Sequence, residues 1–304
     1  MRPNAWQTPG WRITTSNLAA WLADARQQLT GQDPAGDPPG LAAQVLLEHT
    51  LGQPRAWVLA HPEAALSAAQ IEQLNGQLVR LAAGVPLPYV LGEWEFYGLR
   101  FEINPAVLIP RPETELLVET ALHWLRRHPA RRRAADVGTG SGCIAAALAV
   151  HTPNLRVTAC DVSRAALTVA QHNFARLGLA GRVQPVQANL LSGIRGPFDL
   201  VCANLPYIPS AKLAGLPVAR HEPRLALDGG TDGLTLIERL LRSSPRWLAP
   251  GGLILLEIEA DHGQSAPALA GQVYDSGAEI ELVLDLAGLP RLLKIQTLSC
   301  GERL

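Results

Sequence analysis

From Ala134 to Thr297 one pattern repeats: a short apolar, β-prone run, then a stretch with helical spacing. The runs fall at about 134–137, 156–160, 183–187, 198–203, 252–258, 280–285 and 291–297. Alternation of this kind requires a mostly parallel sheet. Parallel neighbours need long crossovers, and those crossovers cover both faces. Helices are expected in every interval but the last. There Ala287-Gly288-Leu289-Pro290 leaves room only for a short loop, so the final pair is expected to be antiparallel.

The chain before this region has a different period. Ser16 is read as opening a helix whose Leu18, Trp21, Leu22, Ala25 and Leu29 form one apolar stripe. A loop follows from Thr30 to Gly40, rich in Gly, Pro and Asp. Further helices are expected over Leu41–Leu51 and Arg55–Ala60. Ser67 with Gln70 has the form of a capping box, opening a helix through Ile71, Leu74, Leu78 and Leu81. Residues 1–85 thus read as a small helical domain with no residue pattern that looks catalytic. Between Pro86 and Pro110 the period changes to two. Trp94 and Phe96 alternate with Glu93 and Glu95, and the alternation resumes at Leu99, Phe101 and Ile103. Residues 86–110 are read as a β-hairpin linker turning at Tyr97-Gly98. Residues 111–304 form the third segment. Its entry, Ile109-Pro110-Arg111-Pro112-Glu113-Thr114-Glu115, is either a well-capped helix start or the rigid wall of an active site.

Composition limits the classes. With 304 residues, 47% hydrophobic and 17% charged, the chain is globular and long enough for two domains. A net charge of −1 provides no global field toward nucleic acid. The local cluster Arg126, Arg127, Arg131, Arg132 and Arg133 reads as a solvated helix end, with RNA phosphate contact as the alternative. Cys143, Cys160, Cys202 and Cys300 match no metal or redox spacing, and no metal site is expected. Met1–Gly10 carries no signal-like core, and no window approaches a membrane span. A cytoplasmic protein without membrane contact is expected.

The first strand runs into Asp136-Val137-Gly138-Thr139-Gly140-Ser141-Gly142 and then a helix from Cys143. Glycines permit a tight turn and close approach of a ligand, and the helix start is expected to supply free N–H groups. Asp161 ends the next strand, where an acid accepts both ribose hydroxyls of a nucleoside. The spacing is G-x-G-x-G with Cys143 following, not the dinucleotide pattern G-x-G-x-x-G, which favours S-adenosylmethionine over NAD. Asn189 and Leu190, after the third strand, are candidates for the adenine amino group and ring. The fourth strand delivers Asn204-Leu205-Pro206-Tyr207 to the same rim, because ligands of open α/β sheets bind at strand carboxyl ends.

An amide or arylamine nitrogen is a poor nucleophile because its lone pair is delocalised. The Asn204 side-chain oxygen and the Leu205 carbonyl can accept its two N–H bonds, and the Tyr207 ring can hold its planar face. His221 and Glu222 follow and are read as structural or as lining the substrate entrance.

The runs Leu108–Glu115, Asp136–Gly142, Asn204-x-Pro206-Tyr207-Ile208 and Glu222–Leu234 resemble the HemK/PrmC family. The resemblance implies an α/β, Rossmann-like, seven-stranded S-adenosylmethionine-dependent methyltransferase with a small N-terminal helical domain that recognises substrate. It implies methyl transfer to N5 of the glutamine in the Gly-Gly-Gln motif of peptide chain release factors. The resemblance carries cofactor binding onto Gly138, Thr139, Gly140, Ser141, Gly142, Asp161 and Asn204, to which their place after the third strand adds Asn189 and Leu190. Catalysis falls on Asn204, Leu205, Pro206 and Tyr207. Leu205 stands where the family usually has Pro, and Asn189 where it usually has Asp. Asn-x-Pro-Tyr also occurs in adenine-N6 nucleic-acid methyltransferases, which is the alternative. A third reading is a binding protein that has kept the fold and lost turnover.

Overall fold

The structure, a computed structural model, describes residues 12–30 and 39–298. Met1–Gly10, most of the loop expected between Thr30 and Gly40, and Cys300 lie outside the described residues. The chain divides after Gly92 into two compact units.

The first unit is helical: α1 (Leu18–Leu29), α2 (Pro39–Leu51), α3 (Arg55–Ala60), α4 (Ala68–Ala82) and α5 (Leu87–Leu91). Asn17, not Ser16, caps α1, its Oδ1 accepting the Ala20 N–H at 2.8 Å. The Ser67–Gln70 box at α4 forms in both directions. The expected stripe is the core, with Trp21, Leu46, Leu47, Leu74 and Leu78 fully buried. Helix α5 was not expected, since its five residues are too few to show a period. It is tied to α4 by the Arg80 guanidinium, which donates to the carbonyls of Tyr89 at 2.8 Å and Val90 at 3.2 Å. The segment read as a linker therefore splits, its helix ending the first unit and its hairpin opening the second.

The second unit opens with the hairpin β1 (Glu93–Phe96) and β2 (Leu99–Glu102), turning at Tyr97-Gly98. Buried Phe96 and Phe101 meet edge to face at 6.3 Å. The chain continues through α6 (Glu115–Arg127), β3 (Arg133–Val137), α7 (Cys143–His151), β4 (Arg156–Asp161), α8 (Arg164–Arg176), β5 (Val183–Gln187) and β6 (Phe198–Ala203). It closes with α9 (Ser210–Leu213), α10 (Thr235–Ser243), β7 (Leu248–Glu257), α11 (Ser265–Tyr274), β8 (Ala278–Leu284) and β9 (Pro290–Thr297).

The seven strands stand in the order β5-β4-β3-β6-β7-β9-β8. The five from β5 to β7 are parallel, and β9 is antiparallel to both neighbours. One expectation fails: no helix lies between β5 and β6. Gly193 at positive φ and Gly196-Pro197 interrupt that ten-residue interval, leaving no uninterrupted helical run. Helix α7 is buried from Cys143 to Ala149, and its four alanines let it lie close against the sheet. Cys143, Cys160 and Cys202 are free and buried, as core residues. Among the described residues, no helix is long and apolar enough to cross a membrane.

The strand order reverses at the β3–β6 boundary. Val137, the last residue of β3, pairs with Cys160 on one side and Ala203 on the other. The next residues, Gly138, Asp161 and Asn204, therefore leave the sheet at one level, at the topological switch point where such sheets bind ligands.

Candidate active site

A cavity of about 300 Å³ opens at this rim, lined by Pro110, Gly138, Asp161, Leu190, Asn204 and Pro206 among others. Thr139, Gly140, Ser141, Leu205 and Asn189 also line it, whereas Gly142 and Tyr207 do not.

The glycine turn is built largely from its own backbone. Gly138 and Thr139 donate to the Cys160 carbonyl at 2.8 and 2.9 Å, and Gly142 donates to the Thr139 carbonyl at 2.8 Å. The Gly140 N–H reaches Asp161 Oδ2 at 2.9 Å. These turn N–H groups are occupied, so the turn supplies shape and close approach, and any free donors are left to the start of α7. Gly138 has φ +76°, and a Cβ there would lie 3.2 Å from Leu205 Cδ2. The Thr139 hydroxyl is turned inward, donating to Asp136 Oδ2 at 2.6 Å, and Ser141 is buried, its carbonyl accepting from Asn173. Asp136 Oδ2 also accepts the Ala145 N–H at 3.1 Å, which ties the turn to the first turn of α7. Full burial pushes the Asp136 pKa up to about 7, against the bonds from Thr139 and Ala145, and its Oδ1 has no partner.

Asp161 braces the turn through Gly140 and accepts the Ser163 N–H at 2.8 Å through Oδ1. Burial raises its pKa above the usual carboxylate value while these N–H groups pull it down. Each oxygen keeps a second lone pair, so both can still receive hydroxyls from a ligand. Beside it Val162 lines the cavity and is 48% exposed, an unusual degree for a valine. Leu190 faces the same cavity with φ +54° and packs on the core edge. Asn189 is exposed, and its Oδ1 accepts from Arg239 at 3.1 Å.

Asn204 is half-buried at the rim. Its Nδ2 donates to the Thr114 hydroxyl at 3.0 Å, which leaves Oδ1 as the free end of the amide. Leu205 is 4% exposed and belongs to the core cluster of the sheet. Its side chain packs the loop against Gly138 and so supplies anchoring where a proline would have supplied a fixed φ. Tyr207 is half-buried, and its hydroxyl lies 3.4 Å from Glu257 Oε1. Burial first, and then the neighbouring Glu257 carboxylate, hold its pKa above the ordinary phenol value.

The two flanking runs brace each other and also wall the cavity, through Pro110, Arg111 and Thr114 on one side and Pro223, Leu225 and Ala226 on the other. Glu222 is buried, bonds Arg111 and accepts the Ile109 N–H at 3.0 Å, so the Pro-Arg-Pro-Glu entry and the Glu222 run clasp each other. Ile208 bonds Leu227 and Gly229 at 3.1 and 2.8 Å. Gly233 at φ +83° backs onto Tyr207, where a Cβ would fall 2.2 Å from the Tyr207 carbonyl oxygen. Of the arginine cluster, Arg131 pairs with Asp199 at 2.9 Å, and the N–H groups of Arg132 and Arg133 donate to the same carboxylate. That part of the cluster is structural.

Val162 and Glu257 escaped the sequence reading, and Thr114 entered it only as part of the possible active-site wall. Thr114 sits in a helix entry, Val162 follows a residue that drew the attention, and Glu257 ends an apolar run without a motif. Glu257 alone carried a usable signal, an acid at the carboxyl end of a buried strand.

The mostly parallel seven-stranded sheet and its rim cavity define a Rossmann-like α/β fold with a ligand site at its switch point. Residues 112–215 match the methyltransferase small domain and residues 20–92 the PrmC N-terminal domain. The chain is 48% identical to the release factor glutamine methyltransferase of Moorella thermoacetica, over 83% of this chain and 89% of that protein. It is 42% identical to the protein of that name from Bordetella pertussis, over 86% of this chain and 97% of that one. In structure it resembles the hMettl16 catalytic domain solved with an RNA hairpin, at TM-score 0.53 and 14% identity over 79% and 86% of the two chains, a likeness of fold alone. The chain belongs to the release factor glutamine methyltransferase family.

Proposed function

We propose that this chain transfers a methyl group from S-adenosylmethionine to the side-chain N5 of the glutamine in the Gly-Gly-Gln motif of peptide chain release factors, in the cytoplasm. The observation that carries the reading is the orientation of Asn204. Its nitrogen is engaged by Thr114, so its oxygen is the end available to a substrate N–H, level with the Gly138 turn and Asp161.

The cavity fits the methyl donor. Asp161 would accept the ribose hydroxyls, Val162 and Leu190 would pack against the adenine, and the Gly138–Gly142 turn would let the ligand approach the backbone. When bound, S-adenosylmethionine supplies an electrophilic sulfonium methyl. Asn204 Oδ1 and the Leu205 carbonyl then accept the two N–H bonds of the glutamine amide. This holds the nitrogen in line and favours its more tetrahedral, nucleophilic form. Tyr207, which lies outside the lining of the donor cavity, would pack its ring on the amide plane from the substrate side. The proton leaves as or after the carbon bond forms, so no strong base at the nitrogen is required.

The family's name and the net charge of −1 both favour a protein amide over the adenine-N6 alternative. The test is a labelled-methyl assay offering a release factor, DNA and RNA side by side, with mass spectrometry to place the label. Methyl on the Gly-Gly-Gln glutamine supports the reading, and label on nucleic acid overturns it.

A further inference from the structure

The grip on the substrate amide depends on which end of the Asn204 side chain faces the cavity. An amide rotated by half a turn presents N–H to N–H and grips nothing. Leu256 of β7 pairs with Ala203 of β6, so Glu257, the last residue of β7, lies level with Asn204. Glu257 is 2% exposed, with Oε1 against the Tyr207 hydroxyl and Oε2 unpartnered. Thr114, also buried, stands where its hydroxyl accepts from Asn204 Nδ2 at 3.0 Å. A hydroxyl has one proton to give, and giving it toward Glu257 turns a lone pair to Asn204.

We propose that Thr114 and Glu257 are positioning residues of the amide grip: Thr114 holds the nitrogen end of Asn204, and Glu257 orients Thr114 and Tyr207, so that Asn204 Oδ1 faces the substrate. The inference rests on the methyl-transfer reading and deepens it. The surroundings of the carboxylate agree. Burial pushes Glu257 up to about 7, the hydroxyls of Thr114 and Tyr207 and the Arg291 charge pull it back, and Glu113 pushes it further. A carboxyl in such a place is costly and is expected to have a task.

The test compares wild type, Thr114→Val, Thr114→Ser and Glu257→Leu, each checked for an unchanged fold by circular dichroism. Thr114→Val is expected to lower kcat on a release factor roughly 10- to 100-fold, the scale of a misplaced reacting group. KM for release factor and Kd for S-adenosylmethionine should stay within about twofold, since ground-state binding does not use this contact. Glu257→Leu should follow Thr114→Val, and Thr114→Ser should restore most of kcat. Wild-type kcat in Thr114→Val, a loss in Thr114→Ser as large as in Thr114→Val, or a parallel loss of donor affinity would overturn the proposal. A second readout needs no turnover: hydrogen exchange of the Asn204 side-chain amide by ¹⁵N NMR. Exchange should quicken in Thr114→Val and slow again in Thr114→Ser, and equal rates in all variants would overturn the positioning role. A wild-type protein that labels no release factor would overturn the substrate reading instead, and the exchange rates would still decide the positioning.

Discussion

The two halves of the site are held in different ways. The Gly138–Gly142 turn is held mainly by groups close to it, the Cys160 carbonyl, Asp161 and its own backbone, within two adjacent strands. The Asn204–Tyr207 loop is held by side chains far along the chain: Thr114 is 90 residues from Asn204, and Glu257 is 50 from Tyr207. The first arrangement needs permissive backbone, which glycine supplies, and two acids on the adjacent strands, Asp136 and Asp161. The second needs chemically matched partners, one of them a buried carboxyl. Damage to the turn should therefore show mainly in stability and donor binding, and damage to the loop mainly in the chemical step.

The strongest challenge to this contrast is Asn204→Ala. Loss of a preorganised group at the reacting centre should lower kcat on the order of 100- to 1000-fold. Because Asn204 is half-buried and its structural bond is the single one to Thr114, thermal stability should fall only slightly. Turnover at the wild-type rate would refute the amide grip.

The next largest effect is read in stability against pH. Glu257 has its folded-state pKa raised from 4.5 to about 7. Its contribution to stability is therefore fully present below about pH 4.5 and is lost as pH rises through 7. Glu257→Gln cannot titrate, so its stability relative to wild type should rise between pH 5 and pH 8, by on the order of 3 kcal/mol. A difference that stays flat across chemical denaturation at those pH values would show that the carboxyl is not held in this way.

Gly138→Ala probes the other half. Forcing a side chain into φ +76° should cost about 1–3 kcal/mol and weaken donor binding, with kcat at saturating donor little changed. Adding Leu205→Ala removes the 3.2 Å contact without removing the backbone strain, so the double variant should recover none of the strain component in denaturation experiments. Full recovery would mean that crowding, not conformation, dictates the glycine.

The smallest effect expected is at Asn189→Asp. An exposed carboxylate there would accept from the adenine amino group but also attract Arg239, so the donor Kd measured by calorimetry should tighten only about 2- to 5-fold. A tenfold or greater gain would place Asn189 at the centre of donor recognition.

The central strands were legible because they are buried runs of apolar residues with a polar or glycine-rich stop, and the edge strands β5 and β8, though partly exposed, because they are short β-prone runs. Strand β7 nonetheless starts at Leu248, earlier than the apolar run at Gly252 suggests, since Ala249-Pro250-Gly251 carries no period while Leu248 pairs with Phe198. The interval between β5 and β6 misled in the opposite sense, because the usual crossover helix is a rule about topology and those ten residues lack the length for it. Gly138, Asp161 and Asn204 were legible as one site because strand register alone levels them. Thr114 was visible only as part of the Pro-Arg-Pro-Glu-Thr-Glu entry and Glu257 only as an acid at a strand end, since what makes each matter is a contact with a residue far along the chain.

By itself the sequence determined the alternation that yields a parallel sheet, the order in which polar residues end its strands, and the positions where only glycine meets the backbone demand. These are local properties, set by period and sterics within a few residues. The tertiary structure decided which end of the Asn204 amide faces the cavity, that Leu205 serves as an anchor in the core, and that a buried Glu257 stands at the Tyr207 hydroxyl. Those outcomes depend on desolvation and on the pairing of single donors with single acceptors, which exist only once distant strands lie side by side.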